Sequence, residues 1–438
     1  MTATDVLGPF GETGAGIVKL GDRADPGPGA GVTWRVDLNY YAELEGVSTW
    51  DHAKWDDAAA LWEADEPTPI DVGADVLAIS IGRGRDEPLS RFRPGLCTVL
   101  VDDPDGNLSP WSTASDPDAY GAIRPGIGLQ IVAIFEGVEY PRFTGTVSAI
   151  VDTFPQIVAG GHAVQITAVD GLADLAAYDG LEQTPAGDGE TAGPRLARIL
   201  ANARYTKPTD LDAGSIPLQA TTLADNALNE AGLVVDTELG ALFVDYAGVM
   251  RFVDRNGLVS DPHFTDVQFT FGEVEPELCY SEVELVTDEE RVRNRISISN
   301  VGGTAVTRLD PDSESLYGPR TYQRFDLIHK NEADSTAIAD RYLAVYADAL
   351  RRVEGLSILP SLHAEVIPAA LELGLLWRIQ LRRRATGFQV IADLQIESIL
   401  EEITAREWRV EYRTFSAAGV FAAAKWDVAR WDTGLWGF

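Results

Sequence analysis

From about Val72 the chain alternates short apolar runs with turn chemistry. The runs VLAISIG (76–82), CTVLVDD (97–103), LQIVAIF (129–135), FTGTVSAIVD (143–152) and HAVQITAVD (162–170) are rich in β-branched residues. Gly, Pro and Asp separate them at intervals of roughly ten residues or somewhat more, the pattern of a β-sandwich or barrel. Before them, the first thirty residues are Gly/Pro-rich, with Gly27, Pro28 and Gly29 in succession. They carry little apolar periodicity and read as the start of an extended N-terminal arm over 1–71. In the turn Asp102-Asp103-Pro104-Asp105-Gly106-Asn107, Pro104 fixes φ, Gly106 can take positive φ and Asp side chains cap free amides. We read it as a hairpin turn. A calcium loop of EF-hand type would place its glycine later and a Glu downstream.

Helical spacing appears next. In PRLARILANARY (194–205) Leu196, Ile199 and Leu200 share a face behind Pro194, which suits a first helical turn. TLADNALNEAG (222–232) is predicted to end at its glycine. LGALFVDYAGVMRFVDR (239–255) holds two β-type runs joined through Ala247-Gly248, a hairpin signal. RNRISISNVGG (293–303) alternates Ile296 and Ile298 against Ser297 and Ser299. The strongest helical pattern is 332–352, with Ile338, Tyr342, Val345, Tyr346 and Ala349 at spacings of three and four. Strand runs return in LLWRIQLRR, FQVIADLQIESILEEI and EWRVEYRTF, closing near Phe415. The fold class read from this is β-rich α+β.

Composition narrows the function. The 438 residues hold 35 Lys and Arg against 68 Asp and Glu, a net charge of −33, which disfavours sequence-independent binding to nucleic acid or anionic membrane. The basic run Arg382-Arg383-Arg384 and the alternating Glu273, Glu275 and Glu277 both read as solvated faces. Cys97 and Cys279 form no CxxC, so neither a zinc site nor a disulfide framework is suggested, and both read as buried small hydrophobes. No run approaches the roughly 18 uninterrupted apolar residues of a membrane span, so membrane insertion is not expected. His52, His162, His263, His329 and His363 occur singly, without HExxH or HxH, so no histidine-bound catalytic metal is expected. There is no phosphate loop, and GETGAG (11–16) has neither its lysine nor a preceding strand. With no GxSxG elbow either, the reading is a chain with no catalytic residues and no cofactor. Paired carboxylates for glycoside hydrolysis stay open, because their separation in space decides.

One repeat stands out. Trp50-Asp51-His52-Ala53-Lys54-Trp55-Asp56 returns as Trp426-Asp427-Val428-Ala429-Arg430-Trp431-Asp432, and Leu61-Trp62 and Leu435-Trp436 follow the two copies. A spacing of five gathers indoles on one side of neither a helix nor a strand. Each block either packs on its own subunit or docks on a neighbour, since interfaces favour Trp and Arg. The candidate partner-binding residues are Trp50, Lys54, Trp55, Trp62, Trp426, Arg430, Trp431 and Trp436, with Lys54 and Arg430 placed for cation–π contact. Deleting the residues after Phe421 is expected to leave a folded subunit that assembles poorly.

The succession 81–111, 123–150, 239–255, NRISISNVGG, DPDSESLYGPRTYQRFDL (310–327), the helix after it and LELGLLWRIQLRR (371–383) resembles the tail-hub and baseplate minor tail proteins of long-tailed (siphovirus-like) phages, particularly of actinobacteria. The Trp-Asp blocks are similar to motifs of the same group. The resemblance implies two barrel-like β domains, 72–180 and 270–415, flanking a smaller α/β insertion at 181–269, with the arm before them and a Trp-rich C-terminal tail at 416–438. It further implies a homotrimer in the virion tail tip, synthesised in the host cytoplasm. Its partners would be a distal tail protein, a tape measure protein and tip or receptor-binding proteins. The genome would pass an acidic lumen without specific binding. No catalytic motif of lysin-bearing members is matched. Two alternatives stay open: a carbohydrate-binding or carbohydrate-cleaving receptor-recognition protein, and a distal tail or tube protein.

Overall fold

The computed structural model describes residues 31–39, 69–111, 123–153, 161–180, 182–287, 289–347, 351–385 and 388–416. The alternating runs of the first half become β1 (Val32–Asn39), β2 (Pro69–Asp71), β3 (Val76–Gly84), β4 (Arg93–Asp102), β5 (Gly128–Phe135), β6 (Val138–Thr153) and β7 (Ala163–Val169). The middle supplies β8 (Glu182–Ala186), β9 (Thr209–Leu211), β10 (Thr221–Leu223), β11 (Ala241–Val244) and β12 (Met250–Val253). The last part supplies β13 (Phe269–Gly272), β14 (Glu282–Thr287), β15 (Arg295–Asn300), β16 (Val306–Leu309), β17 (Thr321–Leu327), β18 (Arg351–Ile358), β19 (Arg378–Ala385), β20 (Phe388–Thr404) and β21 (Trp408–Ser416).

Where the resemblance implied two barrel-like domains, no closed barrel forms among the described residues. Both halves enter one 13-stranded sheet of order β14-β18-β21-β20-β3-β4-β7-β6-β5-β1-β2, with β19 on β20 and β13 on β19. The two halves meet where β3 pairs antiparallel with β20. The sheet also takes in part of the segment read as an arm, because β1 lies along β5 from Val32 to Asn39 and buries Val36 and Leu38.

One device makes the junction. β20 pairs with β19 through Gln395 and with β3 from Ser398 onward, while β21 follows its other edge with a register shift between Ile396 and Ser398. Glu397 is therefore the bulge at which β20 exchanges one neighbour for another, and such an extra residue bends a strand. Gly84, the last residue of β3, takes φ +124° and lets the two strands approach there, for a Cβ on it would lie 2.4 Å from the Cα of Ser398. The Arg85 amide donates to the Glu397 carbonyl at 2.9 Å, and its guanidinium holds the Glu397 carboxylate at 2.5 Å.

Other expectations shift locally. The 239–255 hairpin forms as β11–β12, with Gly248 at φ +84°. The 102–107 turn forms too, but not as a hairpin, since β4 pairs with β3 and β7. The helix expected to end at Gly232 is Ala227–Glu238, closed by Leu239 in the left-handed region. Gly232 lies inside it because the Arg91 guanidinium presses on the helix there, 2.4 Å from where a Cβ would stand. The long helix is Glu332–Tyr346, shorter than its periodicity predicted, because Arg351 and Arg352 belong to β18. Aromatic rings tie layers together: Tyr322, Tyr342, Tyr346 and Phe415 run in succession at centroid distances of 5.2, 6.5 and 6.1 Å. Trp34 of β1 meets Trp408 of β21 edge-on at 5.3 Å. No helix among the described residues is long and apolar enough to cross a membrane.

Candidate assembly interface

Strand alternation sends Ile79, Ile81, Cys97, Val99, Val101, Val164, Ile166 and Ala168 into the core at 2% exposure or less, each worth about 1–3 kcal/mol of burial. Their neighbours make the outer face, and the register aligns these across five strands. One row is Leu400, Gly82, Leu96, Val169 and Thr146; the next is Glu402, Ser80, Thr98, Thr167 and Ala149; the third is Thr404, Ala78, Leu100, Gln165 and Val151. Glu402 is the one charged side chain in these rows. Leu96, Val151 and Leu400 remain 49%, 49% and 38% exposed. A solvated antiparallel face ordinarily alternates into polar and charged residues. Depletion of charge with exposed aliphatics is instead the composition of an interface core.

Beneath this face lies a buried polar keystone. Arg142 of β6 and Glu401 of β20 are both fully buried and form a two-pronged pair, Nη2 to Oε1 at 2.6 Å and Nε to Oε2 at 3.2 Å. Arg142 Nη1 donates to the Leu371 carbonyl at 2.6 Å. The Tyr246 ring, carried in by the β11–β12 hairpin, contacts the guanidiniums of Arg83 and Arg142 at 4.0 and 4.3 Å, and its hydroxyl donates to the Leu373 carbonyl. Burial works against the charge on Arg142, but Glu401 together with Tyr246 and Tyr412 outweighs it and the pKa is raised. Arg83, 3.9 Å from Glu401, is lowered by burial. Both halves of the sheet and the β11–β12 hairpin thus converge on the Arg142–Glu401 pair. Sequence spacing holds no sign of this, since Arg142 and Glu401 lie 259 residues apart.

The residues singled out from the sequence distribute differently. Trp50, Lys54, Trp55, Trp62, Trp426, Arg430, Trp431 and Trp436 all lie outside the described residues. The two charge runs read as solvated faces meet each other: Arg384 Nη2 holds Glu277 Oε1 at 2.5 Å, Arg383 pairs with Glu273, and Arg384 draws the Glu277 carboxyl down to about 2. The reason is the parallel pairing of β13 with β19, which sets Gly272 beside Arg382. The Asp103 carboxylate of the candidate calcium turn accepts from the amides of Asn107 and Leu108 at 2.7 and 2.9 Å. Cys97 is buried, whereas Cys279 is only partly so, which corrects the reading of both as buried hydrophobes.

A cavity of about 490 Å³ opens between the 88–94 loop, the helix Ala227–Glu238 and the helix Glu332–Tyr346. Asp236 is the one carboxylate in its lining, and Arg91 and Arg324 hold it at 2.7 and 3.0 Å. A two-carboxylate hydrolysis needs a second free acid across the ligand, which this lining does not offer.

No protein-family model and no curated protein matches the sequence. Solved structures do resemble it. The 43 kDa tail protein of prophage MuSo2 from Shewanella oneidensis aligns over 81% of this chain and 95% of its own, at 12% identity and a TM-score of 0.52. A tail protein from Neisseria meningitidis MC58 aligns over 87% and 96%, at 10% identity and a TM-score of 0.53. The chain shares the fold of these two tail proteins over most of its length.

Proposed function

We propose that this chain is a non-enzymatic structural subunit of a phage tail tip, a tail-hub or baseplate-type minor tail protein that assembles with copies of itself as a homotrimer. The observation that carries the reading is the charge-poor outer face of β20, β3, β4, β7 and β6, with Leu96, Val151 and Leu400 standing out of it. In a chain of net charge −33, the three rows of this face hold Glu402 as their one charged residue, with the Lys207 ammonium on Thr146 at their edge, and we assign them to contact with neighbouring copies. The fold shared with the two prophage tail proteins supports the same reading. The subunit would join the tail tube to tip proteins in the virion, with distal tail, tape measure and receptor-binding proteins as partners. Acidic residues turned to the lumen would repel DNA phosphates and let the genome pass.

The test is particle mass by light scattering together with negative-stain symmetry of the full chain. A threefold ring of three times the 47.4 kDa chain mass is expected. A monomer at all concentrations overturns the reading, and a ring of six shifts it to the distal tail or tube protein.

A further inference from the structure

Sulfur, imidazole and carboxylate meet between the connection that follows β13 and the turn that follows β18. Cys279 Sγ lies 3.3 Å from Glu365 Oε1, His363 Nδ1 lies 3.4 Å from the same oxygen, and the three ligand atoms fall within 4.8 Å of one another. A tetrahedral zinc ion with ligands at about 2.0–2.3 Å separates neighbouring ligand atoms by about 3.3–3.8 Å. Two edges of the triangle therefore already have the length that a shared ion would impose. A thiol–carboxylate hydrogen bond beside a His–Glu ion pair would use the same atoms, and the titration below separates the two.

The geometry points to a zinc site made by Cys279, His363 and Glu365, with water as fourth ligand, that ties the 273–281 connection to the 359–366 turn. The donors suit that ion. Thiolate with imidazole selects zinc over calcium or magnesium, which take oxygen ligands, and one thiolate with one carboxylate neutralises its two charges. Main-chain bonds hold the ligands in place before any ion arrives. The Leu278 amide donates to Thr270 at 2.9 Å and that of Ser281 to Ser357 at 2.8 Å, on either side of Cys279. The His363 amide donates to Leu359 at 3.1 Å, and the Val366 amide donates to the His363 carbonyl at 3.2 Å. His363 and Glu365 are 50% and 56% exposed, which leaves an entry path and room for the water. Zinc binds the thiolate, so uptake releases the thiol proton to solvent and strengthens as pH rises.

The full chain, reduced and stripped with chelator, is titrated with zinc by calorimetry and with cobalt(II) by visible absorption. One zinc per chain and a thiolate-to-cobalt charge-transfer band are expected. Cys279→Ser should remove the band, and His363→Ala and Glu365→Gln should each weaken zinc binding by at least about tenfold. Cobalt binding without the band, or zinc isotherms unchanged in Cys279→Ser and His363→Ala, overturns the site; weak uptake common to all variants is adsorption on the acidic surface and counts against it. Circular dichroism confirms the fold of each variant, and the exposed His363→Ala decides the matter if Cys279→Ser does not fold.

Discussion

Removing the negative charge at the keystone while keeping its shape, by Glu401→Gln, strands two buried guanidiniums. Arg142 loses a two-pronged partner at 2.6 and 3.2 Å, and Arg83 loses the carboxylate 3.9 Å away. Breaking a buried pair from one side costs about 3–5 kcal/mol, and with two cations left unbalanced Glu401→Gln should reach the upper part of that range. Arg142→Met differs in kind. It leaves Glu401 with Arg83 still beside it, one buried cation for one carboxylate, so the loss should be smaller. The double change Arg142→Met/Glu401→Leu removes the Arg142–Glu401 pair and leaves only Arg83 without this carboxylate, so it should be less damaging than Glu401→Gln, which strands both guanidiniums. Urea denaturation followed by far-ultraviolet circular dichroism gives the order through the midpoints and slopes. Hydrogen exchange over 78–84 and 398–404 reports whether the β3–β20 seam opens first. Glu401→Gln falling within about 1 kcal/mol of the parent, well below the cost of an unbalanced buried charge, or Arg142→Met proving the worse of the two, would refute the argument that one carboxylate balances both arginines.

Further outcomes follow from the same geometry. Gly84→Ala puts a Cβ 2.4 Å from the Ser398 backbone at a φ of +124°, so strain and overpacking together should cost about 2–5 kcal/mol; a denaturation midpoint near that of the parent would contradict the close approach at the seam. Leu96→Glu with Leu400→Glu should leave the isolated chain within about 0.5 kcal/mol of the parent yet weaken self-association tenfold or more by sedimentation, and unchanged assembly would remove this face as the contact. Burial pushes the Asp170 carboxyl up to about 6 from an ordinary value of about 3.9. The folded chain thus keeps a proton that the unfolded chain has released, and this group makes stability fall as pH rises from about 4 to 6. Asp170→Asn, which cannot ionise, should therefore gain about 2–3 kcal/mol relative to the parent across that window; paired denaturation curves at its two ends that show no relative gain would contradict it.

Local patterning determined most strands and the long helix, because alternation and spacing of three or four are written into neighbouring residues: Cys97, Val99 and Val101 face the core as their period of two requires. The 239–255 hairpin was legible for the same reason, since Gly248 supplies the positive φ its turn uses. Where information is long-range the chain by itself was silent. That β20 exchanges β19 for β3 at Glu397 depends on a bulge and on the absence of a Cβ at Gly84, and no nearby residue announces either. The resemblance implied two barrel-like domains; with that exchange strands of both regions share one sheet. The mutual pairing of Arg383 and Arg384 with Glu273 and Glu277 was equally invisible, because each run by itself has the composition of a solvated strand. The charge-poor face itself required five strands to be set in register. Each contributes only a few unremarkable small or apolar residues, and it is their alignment in space that turns them into a surface.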